Sequence, residues 1–102
     1  MSTPAETVTT LLGVLAEERD AIRRLDAVAV TAASRKKEAL AQVLTSLTTA
    51  DLLPIASDIM LLRAELRRNG VLLAHARACL KEVSEIAAAR GGKPRGALRA
   101  TL

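Results

Sequence analysis

His75 and Cys79 stand four residues apart in the segment RRNGVLLAHARACL, Arg67 to Leu80. On a helix that spacing aims an imidazole and a thiol from one face, as a two-ligand metal pair requires. They are the only His and the only Cys in 102 residues. A closed four-ligand site would therefore need carboxylates or a second chain, and the pair reads as structural, with Cys79 a small buried hydrophobe. The acids offer no better chemistry. In AEERDAIRR and SRKKE, carboxylates alternate with Arg and Lys in the manner of solvated helix faces with i,i+4 pairs. There is no Gly-rich phosphate loop, and a single His leaves no Ser-His-Asp set to assemble. The expectation is a protein with no catalytic residue, no cofactor and no metal, whose work is recognition.

Composition narrows the partner. Half of the residues are apolar, drawn almost wholly from Leu, Ala, Val and Ile, and Phe, Tyr and Trp are absent. That is the composition of helix seams, and it lacks the rings on which single-stranded nucleic acid stacks. The net charge of +4 belongs to the C-terminus. Up to Ala89, 11 Lys and Arg face 11 Asp and Glu, whereas Arg90, Lys93, Arg95 and Arg99 meet no acid. A neutral body has no clustered basic face for a duplex, so nucleic acid is not an expected partner. The lone cysteine fits a reducing compartment. The N-terminus MSTPAETVTT lacks a secretory pattern, and no apolar run of about 20 residues predicts an integral membrane segment. A cytoplasmic location is expected.

The elements that must position any binding surface are helices. Thr3, Pro4 and Glu6 form a start signal, a capping box with Pro at the first position. Val8, Leu11, Leu12, Leu15, Ile22 and Leu25 then recur on one face, with Gly13 interrupting. Asp26 predicts a kink or short turn; a single continuous helix of about 45 residues is the alternative, since no Gly or Pro forces a break. Packing residues resume at Leu40, Val43, Leu44 and Leu47. LTTADLLP is the next connection, with Asp51 as cap and Pro54 in the first turn. From there Ile55, Ile59, Leu62, Leu66, Asn69, Leu73, Ala76, Leu80, Val83 and Ala87 alternate steps of four and three, a sustained heptad seam. The predicted fold is all-α, an elongated up-down-up antiparallel bundle or coiled-coil hairpin. Its helices run over about 3–24, 26–47 and 51–90, a helical domain over 1–90, followed by a flexible basic tail over 91–102.

Asn69-Gly70 is a strong hairpin signal, yet the seam passes through it in phase, so the segment reads as helix. A polar seam residue specifies register at a cost in stability, and the glycine lets another backbone approach. Two roles stay open: a buried Asn bonded inside the bundle with Gly making room, or a partner-binding feature. Beyond this point the face broadens, because Leu72, Cys79 and Ile86 form a second stripe beside Leu73, Ala76, Leu80 and Val83. The third helix is also longer than the other two, which leaves one end uncovered. If the first two helices were continuous, the first would lie on this late half and cover it.

These segments resemble the FlgN family of flagellar export chaperones. The likeness rests on LAEERDAIRRLD, RKKEALAQVL and LRAELRRNGVLLAHARACL, followed by a glycine-containing basic tail. The family's Asn-x-x-Asn-Gly-x-Leu pattern is matched at Asn69, Gly70 and Leu72 and departs at Leu66; a Tyr-Gly segment common in the family's tail is missing. The resemblance implies a cytoplasmic chaperone that binds C-terminal helical segments of hook-filament junction (hook-associated) proteins, prevents their premature assembly, and delivers them to the export apparatus. The expected partner-binding residues are Asn69, Gly70, Leu72, Leu73, Ala76, Cys79, Leu80 and Val83. The rival expectation is a homodimeric structural or regulatory coiled-coil module; the residues do not decide between monomer and homodimer.

Overall fold

A computed structural model of the chain describes residues 2–90; the basic tail expected over 91–102 lies outside them. The described residues are all-α, with no strand. Three long helices, α1 (Pro4–Arg23), α2 (Ala27–Thr45) and α4 (Ala56–Ala89), are joined by a turn and by a segment holding the four-residue α3 (Thr49–Leu52) and a 3₁₀ turn, Leu53–Ile55. The molecule measures 60 × 22 × 19 Å.

The start of α1 follows its sequence signal. Thr3 Oγ1 accepts from the Glu6 amide at 3.1 Å and Glu6 reaches back to the Thr3 amide at 3.4 Å, which satisfies two of the four donors that a helix start leaves unpaired. Its end is a double reversal that excludes a continuous helix. The Leu25 amide donates to Ile22 O and the Asp26 amide to Ala21 O, each at 3.0 Å, the bond pair of a Schellman motif. Leu25 occupies the left-handed position of that motif, at φ 54°, where glycine is usual. It is consequently turned half outward, so the expectation that Leu25 continues the α1 seam is corrected. Asp26 then starts α2 by accepting the Ala29 amide at 3.1 Å.

The connection to α4 also differs from the expectation. Thr48, not Asp51, is the cap; Asp51 is its partner three residues on, returning a bond to the Thr48 amide at 3.2 Å. Pro54 has no amide hydrogen to donate to the preceding turn, and the chain tightens into the 3₁₀ turn before α4 begins. The third helix expected over 51–90 therefore comes in three pieces, the last of which runs unbroken for 34 residues, about 51 Å at 1.5 Å per residue.

Packing fixes the directions. Val8, Leu11 and Leu15 of α1 meet Leu44 near the end of α2 and Ile55 and Leu62 at the start of α4. Ala21 and Ile22 at the end of α1 meet Val30 near the start of α2, with Leu72, Leu73 and Ala76 of α4 packed against them. Hence α1 and α4 run parallel and α2 antiparallel to both. Ala76 is the last α4 residue packed on the second cluster. Arg77 to Ala89 continue past it for about 20 Å.

Candidate partner-docking surface

Between the two apolar clusters lies a polar layer built from all three long helices. Asn69 is 2% exposed. Its amide donates to Leu15 O at 2.8 Å and to Glu18 Oε1 at 2.9 Å, and its Oδ1 accepts from Arg19 Nη1 at 3.1 Å. Glu18, 1% exposed, also accepts from Ser34 Oγ at 3.0 Å and Lys37 Nζ at 2.8 Å. Arg19 bridges onward to Glu65. No buried side-chain polar atom is left without a partner among the described residues. That matters because each unsatisfied group in a dry interior costs about 1–3 kcal/mol. Burial pushes the Glu18 carboxyl up, but the hydrogen bonds from Lys37, Asn69 and Ser34, together with the Lys37 charge, bring it below its ordinary 4.5.

This layer corrects three readings. Glu18 and Lys37 are not solvated stripe residues. The phase shows why: Leu11, Leu15, Glu18 and Ile22 step by four, three and four, so Glu18 occupies an α1 seam position as surely as the leucines do. Asn69 faces α1 rather than a partner, since its hydrogen-bonding capacity is turned inward. Glycine does not make room for another helix at position 70 either. A methyl group built there meets no heavy atom within 4 Å, and α4 passes through Gly70 without a break.

The remaining expected docking residues divide at Ala76. Leu72, Leu73 and Ala76 are partly buried against the end of α1 and the start of α2, although those two helices are separate. Past them, Cys79 is exposed, which corrects its reading as a buried hydrophobe. Leu80 is half-buried, and Val83 and Ile86 are 52% and 48% exposed. Ile86, seven residues after Cys79, extends the outer stripe.

Comparison with family models, curated proteins and solved structures finds no match.

What the site can do chemically follows from its groups. His75 and Cys79 both face solvent, and no cluster of three or more His, Cys, Asp or Glu side chains suited to a metal ion occurs among the described residues. No single helix among them is long and apolar enough to cross a membrane. The projecting end of α4 offers apolar side chains at helical spacing, with Lys81 and Glu85 paired at 4.0 Å on its exposed flank.

Proposed function

We propose that the chain is a FlgN-like export chaperone that holds a client helix on the projecting end of α4, by stoichiometric binding without chemistry. The observation that carries this reading is the exposed stripe of Cys79, Val83 and Ile86, with the half-buried Leu80 beside it, which nothing among the described residues covers beyond the last turn packed on the second cluster. Asn69, Gly70 and Leu72, which match part of the family's Asn-x-x-Asn-Gly-x-Leu pattern, lie about two turns before it. A helical segment that finds its final partner only in an assembled filament exposes a similar stripe while it waits, and two such stripes bury each other by helix packing. The half-buried Leu72, Leu73 and Ala76 adjoin this footprint and extend it toward the bundle. Asn69 contributes from inside, by holding the register of α4 on α1, and Gly70 contributes an exposed, unencumbered helix surface.

The test is titration calorimetry of the full chain against C-terminal helical segments of hook-filament junction proteins, with Val83→Asp/Ile86→Asp as the variant. Both side chains are about half exposed, so the variant keeps its helicity while binding falls by at least tenfold. Wild-type protein that binds no junction segment, or a variant that binds as well as wild type, refutes the chaperone reading. A tight homodimer in light scattering, dissociated by the same variant, would assign the stripe to a second copy instead.

A further inference from the structure

The face of α4 turned away from the core is not uniformly polar. Leu62, Leu66 and Asn69 point inward, and on the opposite side stand Met60, Ala64 and Val71, spaced by four and seven. Met60 is 71% and Val71 54% exposed. Ala64, Arg67, Arg68 and Val71 occupy positions i, i+3, i+4 and i+7. Those are the four corners of the hole that a side chain from a facing helix fills in knobs-into-holes packing. Together with Leu72 they line a shallow hollow of about 370 Å³.

Any bare helix has holes of this shape; the charge around this one is what distinguishes it. Its top and bottom corners are apolar and both lateral corners are Arg. From Met60 to Ala76 the only acid is Glu65. Glu65 turns inward to Arg19 and lies 4.0 Å from Arg68. Arg63 and Arg67 have no ion pair among the described residues. An apolar knob entering this hole would place its own flanking residues over Arg67 and Arg68, where acids are favoured and bases repelled.

We propose that the outer face of α4 from Met60 to Val71 is a second docking surface, for an amphipathic partner helix that carries Asp or Glu beside its apolar stripe. It is separate from the projecting end of α4 and does not depend on the chaperone reading. A helix is the occupant because the apolar positions follow helical spacing over about 17 Å, some three turns, and the hole between them has the i, i+3, i+4, i+7 corners that a side chain of a facing helix fills. A membrane surface fits less well. Arg63, Arg67 and Arg68 break up the apolar face, and the sequence contains no Trp, Tyr or Phe, residues that anchor interfacial helices.

Two synthetic helical peptides with the same Leu stripe, one flanked by Glu and one by Lys, test this by fluorescence anisotropy with the full-length protein. The Glu peptide is expected to bind at least tenfold more tightly, and its advantage to shrink between 50 and 200 mM salt, values chosen about the range where screening becomes strong. Arg67→Glu/Arg68→Glu should reverse the preference. Arg63→Glu/Arg67→Glu, which leaves the Glu65 contacts alone, should at least abolish it. Binding of the Glu peptide should survive Val83→Asp/Ile86→Asp. Equal affinity for the two peptides, a preference unaltered in both Arg variants, or loss of binding in the Val83/Ile86 variant overturns the proposal. So does binding of the full-length protein to anionic vesicles that the Arg variants abolish, or self-association that Val71→Asp abolishes, since each names a different occupant.

Discussion

Replacing Glu18 with Gln tests whether the polar layer holds the bundle together through its charge. The side chain keeps its shape and its 1% exposure. One oxygen can still accept from Asn69, but an amide NH₂ now stands where Oε2 received Ser34 and Lys37. The Ser34 hydroxyl can rotate to accept instead; the Lys37 ammonium cannot. Loss of a charge-assisted hydrogen bond at a buried site costs about 2–3 kcal/mol. The partial exposure of the Lys37 side chain keeps the figure below that for a fully buried pair. In a chain of this size that is a fall in Tm of roughly 10–20 °C. The pH dependence carries the sharper signature. Because the Glu18 carboxyl in the folded protein lies below 4.5, the folded state binds that proton less readily than the unfolded chain does. Its contribution is complete above pH 4.5 and is lost as the pH falls from there through the folded value. Glu18→Gln lacks this contribution at every pH. Urea melts followed by helical circular dichroism should therefore show a gap between wild type and variant that is full at pH 7 and closes in acid. A gap below about 0.5 kcal/mol at pH 7, within the range of ordinary surface substitutions, or one that stays constant into acid, would refute the reasoning.

Three further outcomes follow from the backbone and the surface. Gly70→Ala should stabilise the protein by about 1 kcal/mol, because alanine is the better helix former and the added methyl meets nothing; a lower Tm would show that α4 bends or is approached closely at that point. Leu25→Gly should raise Tm by relieving a left-handed leucine, for a net gain of about 0.5–1 kcal/mol after the larger chain entropy of glycine is set against it, and thermal melts showing a decrease would mean that the half-exposed side chain packs more than its position implies. Cys79 should react fully with a disulfide reagent in the native protein, without denaturant; protection relieved only by unfolding would place it in an interface.

The helices and their order were legible in the sequence because capping and apolar phase are local properties. Thr3, Pro4 and Glu6 mark a start on chemistry alone, and the step of four and three from Ile55 to Ala87 requires one continuous face. The break at Leu25 was less legible, since its left-handed residue is a leucine where glycine would have announced the turn. The phase of Glu18 places it in the α1 seam, whereas its residue type alone points to a solvated stripe.

The sequence by itself determined that helices form, that one face of each is buried, and that α4 outruns its neighbours, since these depend on residues within a few turns of one another. Only the tertiary structure decided what those faces meet. Asn69 is 50 residues from Arg19, 51 from Glu18 and 54 from Leu15. Whether a polar seam residue is satisfied inside the protein or offered to a partner depends on the groups that arrive opposite it. The same packing divides the α4 stripe at Ala76, because the turn at Leu25 and Asp26 sets where α1 stops and α2 begins. Beyond it Cys79, Val83 and Ile86 are exposed, because neither α1 nor α2 extends along that end of α4.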